Sequence, residues 1–275
     1  MNKILVPTDF SKESEYALET AAKLAKNFNA EIIALHMLDI PETILTKETS
    51  EEYPELLLFS KLAKQRFSDF LDKDYLGGIT VTEAIQHHKA FEGIIDSAKK
   101  EDADIIIMGS HGVSGAKELF VGSNTEKVVR SSDIPVLVVK ENQEDISFNK
   151  FVFASNFVED CYEAFKKAKN FAKTINTKIN LLYINTPKDF KNSTEIEKQV
   201  SLFLQKVETP ADEISFAIHN DYDVEQGILN YCQKVNADLI GIPTHGRKGL
   251  AHIIKGSIGE NVANHADIPV VTFKI

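Results

Sequence analysis

Two glycine-spaced segments carry the chemistry open to this sequence. The first reads Gly109-Ser110-His111-Gly112, nine residues, then Gly122-Ser123; the second reads Pro243-Thr244-His245-Gly246, nine residues, then Gly256-Ser257, an offset of 134. Each follows an apolar stretch, Ile105 to Met108 or Leu239 to Ile242, and precedes residues with helical spacing. Each therefore sits where a strand hands over to a helix. At such a junction unpaired backbone N–H groups and the helix dipole attract anions, and glycine admits a ligand close to the main chain. That is phosphate-binding chemistry. The structural alternative is a tight turn followed by a capping box, with Ser123 as N-cap and Glu126 three residues on, echoed by Ser257 and Glu260. Earlier in the chain, Asp9 ends the apolar run Ile4-Leu5-Val6-Pro7-Thr8. Ser11 is better placed to cap the following helix, so the Asp9 carboxylate can accept hydrogen bonds from sugar hydroxyls or a base amine.

The elements that must position these residues occur twice. Asp133-Ile134-Pro135-Val136-Leu137-Val138 matches Asp267-Ile268-Pro269-Val270-Val271-Thr272 at the same offset of 134, whereas Ile4 to Phe10 matches Phe151 to Phe157 at 147. Copy one thus has about 13 extra residues, assigned to the stretch Ile40 to Leu76, which reads as a loop and a long amphipathic helix. The pattern in copy one predicts strands over 3–7, 31–37, 79–86, 105–108 and 136–139, with helices over 12–28, 91–101 and 124–131, and copy two repeats it. Buried β-branched strands alternating with helices imply a doubly wound parallel sheet with helices on both faces. In such sheets ligands bind beyond the carboxyl ends of the strands, where the order reverses. Asp9 and the glycine run share one crevice if strands one and four are neighbours. The expected domains are 1–142 and 148–275, joined by the polar stretch Glu141 to Asn149.

Composition limits the function classes. The 275 residues are 43% apolar with a formal net charge of −10, which repels nucleic-acid phosphates, and the lysines form no single stripe. No apolar run approaches the ~20 residues of a membrane span, and Met1 to Val6 enters a strand pattern without signal-peptide features. No nucleic acid, no membrane and a cytoplasmic location are the expectations. The two cysteines, Cys161 and Cys232, have no metal-like spacing and read as structural. His111 and His245 lack neighbouring ligands, and the rings of adjacent His87-His88 on a strand point to opposite faces, so no metal site is expected. The phosphate loop with its lysine, the nucleophile elbow and the His-Glu-x-x-His helix are all absent, so nothing is arranged to cut a bound nucleotide.

Taken together, the residues resemble the universal stress protein family in a tandem form. The ATP-binding pattern of that family is Gly, two residues, Gly, nine residues, Gly, then Ser or Thr, and Gly109, Gly112, Gly122 and Ser123 satisfy it. The resemblance extends to Ile4-Leu5-Val6-Pro7-Thr8-Asp9-Phe10-Ser11, Leu35-His36-Met37, Asp104 to Gly112 and Pro135 to Val139. It implies a five-stranded sheet of order 3-2-1-4-5. It also implies that Asp9 contacts adenosine, with Pro7, Thr8, Met37 and Met108 shaping that wall, and that Gly109, Gly112, Gly122, Ser123 and Asn124 surround ribose and phosphates. ATP with Mg²⁺, protein partners not identifiable from sequence, and pairing of the two domains as an intramolecular pseudo-dimer, with room for a further homodimer, are the implied ligands and assembly. Copy two departs at Asn156 for Asp9, Ala154 for Pro7 and Pro243 for Gly109, while keeping Gly246, Gly256 and Ser257. Slow ATP hydrolysis or adenylyl transfer, and a nucleotide-independent scaffold, stay open as alternatives.

Overall fold

Strand β4 (Ile105–Gly109) is buried at every residue, which requires cover on both of its faces, as in a parallel sheet between helices. The computed structural model describes residues 1–38, 54–87, 90–110, 122–140, 148–210, 214–244 and 258–275. They fall into two compact units, 1–128 with 139–143 and 129–138 with 144–275. The first unit contains β1 (Lys3–Pro7), α1 (Lys12–Phe28), β2 (Glu31–Leu38), α2 (Pro54–Leu71), β3 (Val81–His87), α3 (Ala90–Lys100) and β4. Helix α4 (Ser123–Ser131) and strand β5 (Val136–Val139) follow. Copy two supplies β6 (Lys150–Ala154), α5 (Tyr162–Thr174), β7 (Lys178–Asn185), α6 (Ser193–Lys206), β8 (Ser215–Asn220), α7 (Val224–Val235), β9 (Leu239–Thr244), α8 (Ile258–His265) and β10 (Val270–Lys274).

In the first unit the parallel order is β3-β2-β1-β4. The Ser110 N–H, just beyond β4, donates to the Val139 carbonyl at 2.9 Å, which sets the end of β5 next in line. In the second unit the order β8-β7-β6-β9-β10 repeats the scheme, and Val136–Val138 add to β10 as an antiparallel edge, Val138 opposite Val270 and Val136 opposite Thr272. The expected doubly wound architecture and strand order 3-2-1-4-5 are thus present.

Local rules explain the boundaries. Helix α1 starts at Ser11, whose Oγ accepts the Ser14 N–H at 3.2 Å, and stops at Asn29, which takes a left-handed conformation at φ 52°. Several boundaries differ from expectation by a residue or two, and two of these differences have a local cause. Strand β3 begins at Val81 and ends at His87, because residues 74–78 form a 3₁₀ turn and a glycine pair, with Gly78 at φ 81°. Helix α4 begins at Ser123, so Gly122, whose carbonyl accepts the Glu126 N–H at 3.0 Å, holds the N-cap position expected of Ser123. Ser257 of the second expected cap, with Gly246, Gly256, His88, His111, His245 and the whole stretch from Ile40 to Tyr53, lies outside the described residues. Cys161 and Cys232 are both buried and unbridged.

Candidate functional site

The connection from β1 to α1 is fixed by its own polar atoms. Pro7 pairs with Leu35, the Thr8 N–H donates to the Leu35 carbonyl at 2.8 Å, and Thr8 Oγ1 accepts the Phe10 N–H at 2.9 Å. Asp9 Oδ1 then accepts the Ser11 N–H at 3.0 Å. These bonds carry Phe10 into the left-handed region at φ 64°, a conformation that a bulky residue adopts only when its surroundings enforce it. Its ring supplies that enforcement. It lies 4.5 Å from His36, 5.1 Å from Phe67 and 5.5 Å from Phe70 between ring centres, with the Arg66 guanidinium over it at 5.9 Å.

His36 completes the arrangement. Its Nδ1 lies 2.8 Å from the Thr8 carbonyl; a carbonyl only accepts, so Nδ1 carries the proton. Burial lowers the His36 pKa, the Thr8 bond opposes that shift, and Arg66 adds to the lowering. The side chain next to Met37 is therefore a neutral imidazole that clamps the backbone just before Asp9.

The glycine run closes on itself from the other side. The Gly122 N–H donates to the Ser110 carbonyl at 2.6 Å, and Thr125 Oγ1 donates to the Gly109 carbonyl at 3.0 Å. The start of α4 is thereby pinned to the end of β4. Gly109 is buried for a reason the motif alone does not reveal: a Cβ there would lie 2.6 Å from the backbone C and O of Glu13 in the first turn of α1. The glycine lets α1 approach β4. Because Ile4 and Leu5 pair with Ile105 and Ile106, Pro7 and Met108 each lie two residues beyond a paired position on neighbouring strands. Pro7, Thr8 and Met108 are buried, Asp9 and Gly122 are partly exposed, and Ser123 and Asn124 are exposed at the first turn of α4. Met37 lies near the end of β2, opposite Gln86. Gly112 lies outside the described residues. Phe10, His36, Glu13 and Thr125 were not singled out from sequence, although an aromatic residue follows the strand-end Asp or Asn in both copies.

Copy two keeps the loop and changes the crevice. Phe157 has φ 52°, its N–H donates to Ser155 Oγ at 3.0 Å, and its ring packs on Phe203 at 5.4 Å, as Phe10 does on Phe67. Asn156, in the place of Asp9, is engaged internally: its Oδ1 accepts the Cys161 thiol at 3.4 Å and its carbonyl accepts the Gln199 amide at 2.5 Å. The position of Gly109 is Pro243, and the segment matching the first turn of α1 is a 3₁₀ turn, Glu159–Cys161, with α5 starting only at Tyr162. The position of Thr125 is Gly259, where a Cβ would lie 2.8 Å from the Thr244 methyl. The hydroxyl clamp of copy one cannot form there. Proline also removes an N–H and fixes φ near −65°.

A family model described as "Universal stress protein family" matches residues 1–140 and again 147–274. The chain belongs to the universal stress protein family. A universal stress protein of Methanocaldococcus jannaschii is 35% identical over 149 residues, covering 52% of this chain and 84% of that one. A universal stress protein of Synechocystis sp. matches at 24% identity over 100% of both chains. Among solved structures, a universal stress protein from Archaeoglobus fulgidus superposes with a TM-score of 0.77 at 22% identity, covering 99% of this chain and 98% of that one, a likeness of fold. No described helix is long and apolar enough to cross a membrane, and no cluster of three or more His, Cys, Asp or Glu residues suited to a metal occurs among the described residues.

Proposed function

We propose that this universal stress protein binds ATP in its N-terminal domain, residues 1–142, and acts as a cytoplasmic regulator whose partners respond to nucleotide occupancy. The observation that carries the reading is the junction of two fixed segments. The loop 7–11 holds Asp9 at the end of β1, and the Ser110–Gly122 and Gly109–Thr125 bonds hold the start of α4 at the end of neighbouring β4. Adenosine meets Asp9, with Pro7, Thr8, Met37 and Met108 around the base. Ribose and phosphates lie along Gly109, Gly112, Gly122, Ser123 and Asn124.

The residues present suit a phosphate. Glycine at the N-cap of α4 has no side-chain oxygen to satisfy the first-turn N–H groups, and the helix dipole favours an anion there. Mg²⁺ would come with ATP, held chiefly by its phosphates, since the described residues hold no metal cluster of three or more His, Cys, Asp or Glu. In the domain 148–275, Asn156 is engaged by Cys161 and Gln199, and Pro243 stands in the glycine position, which supports weak or absent binding. Pairing of the two domains as an internal pseudo-dimer belongs to the same proposal. Titration calorimetry on the full chain and its Asp9→Ala variant tests the site. The variant is expected to lose about tenfold or more in ATP affinity, as for loss of a charge-assisted bond. Equal affinities would overturn the assignment.

A further inference from the structure

A second cavity, of about 540 Å³, lies in the C-terminal copy between α7 and the segment 265–268, next to the amino ends of β9 and β10. It is therefore at the opposite end of the copy-two strands from Ala154 and Pro243. Gln226, Leu229, Asn230 and Gln233 line it at spacings of three and four residues, so one face of α7 forms its wall, and Asn236 follows at the helix end. Leu229 and Ile268 contribute apolar surface, with Ile240 buried beneath it.

The other copy shows what is special about this wall. At the offset of 134, Gln226, Asn230, Gln233 and Asn236 replace Glu92, Asp96, Lys99 and Asp102. Four ionised positions have all become neutral amides, while the buried Gly227 and Ala237 of copy two match Gly93 and Ala103 unchanged. Amides each offer both donors and an acceptor without a charge. Of the charged lining groups, Asp238 Oδ2 accepts the N–H groups of Asn149 and Lys150 at 2.8 and 3.0 Å, as Asp104 accepts those of Asn2 and Lys3, and His265 pairs with Glu225, while the exposed Asp267 adds a carboxylate that disfavours an anionic ligand. The amides are also oriented. Gln226 Nε2 donates to Asn230 Oδ1, and Asn230 Nδ2 donates to Asp221 Oδ2, both at 2.9 Å. Cys232, on the wall, is buried and its thiol pKa is pushed up to about 12 by that burial, so the cavity holds no ready nucleophile.

We infer that this cavity is a binding site for a neutral, hydroxyl-rich small molecule of sugar or polyol type, with its polar edge on the α7 amides and a less polar face on Leu229 and Ile268. Its volume is in the range of small-molecule sites. The site does not depend on ATP binding in copy one. The test is protein-observed ¹H–¹⁵N NMR and calorimetry on the full chain with trehalose and glucose, and with glucuronate as the anionic counterpart. The neutral sugars are expected to bind at about 10 mM or tighter, shifting amide resonances of α7 and 265–268 only, and glucuronate about tenfold more weakly. The Asn230→Asp/Gln233→Lys variant, which restores the copy-one charges at exposed positions, is expected to weaken the neutral sugars by about tenfold with ATP affinity unchanged. No binding of either neutral sugar at about 50 mM, equal binding of glucuronate, or indifference to the double variant would overturn the proposal.

Discussion

Gly109→Ala separates the two reasons for a glycine at the start of the run. A Cβ at this position lies 2.6 Å from Glu13 C and O and 2.9 Å from Glu13 Cβ. Non-bonded carbons rest about 3.5–4.0 Å apart, so the first turn of α1 must retreat by about 1 Å. That turn is not loose: Ser11 caps it, Ser14 Oγ donates to the Ser11 carbonyl at 2.9 Å, and Asp9 holds the Ser11 N–H. Overpacking of this kind costs about 1–3 kcal/mol. Because the displaced segment carries Asp9, ATP affinity should fall with it, by about tenfold for each 1.4 kcal/mol lost. Urea denaturation at constant slope measures the first effect and calorimetry the second. A stability change under about 0.5 kcal/mol together with unchanged ATP affinity would refute the argument that this glycine exists to let α1 approach β4.

Other substitutions test separate parts of the site. Gly122→Val, a branched side chain at the helix start, should abolish ATP binding with an unaltered circular dichroism spectrum; retained affinity would show that the phosphates lie elsewhere. Thr125→Val removes the bond to the Gly109 carbonyl and should cost about 1–2 kcal/mol in denaturant, whereas Thr125→Ser should cost less; equal losses would count against the clamp. The folded-state pKa of His36 is lowered, so below about pH 6.5 the unfolded chain takes up a proton that the native chain refuses. Stability present above that pH is lost as the pH falls towards the folded-state value, and the loss between pH 7 and 5 should be smaller in His36→Asn. Identical acid limbs would remove His36 from the account. Burial raises the pKa of both Cys161 and Cys232, so neither thiol should react with Ellman's reagent at pH 8 before unfolding; rapid native reaction would contradict the packing.

Much of this was legible in the residues because backbone periodicity and duplication are local signals. The bounds of β1, α1 and β5 follow from their apolar patterns and from Ser11 and Asn29, and matching Asp133 to Val138 with Asp267 to Thr272 revealed two copies. The motif also marked where β4 hands over to α4. What the pattern could not carry was contact across the sheet. Nothing near Gly109 in sequence announces Glu13, and nothing near Thr8 announces His36 28 residues away. Ser123 shows the limit of a capping rule: a residue of the favoured type followed by Glu at the right spacing lost the cap to Gly122, whose N–H and carbonyl are held by Ser110 and Glu126. The replacement of Thr125 by Gly259 likewise gains meaning only when Thr244 is found against it.

The division of labour between the copies is tested most directly by native mass spectrometry of the full chain titrated with ATP and Mg²⁺. One nucleotide per chain, lost in Asp9→Ala and retained in Asn156→Ala, is the predicted result. Two nucleotides of equal affinity, or none, would contradict it.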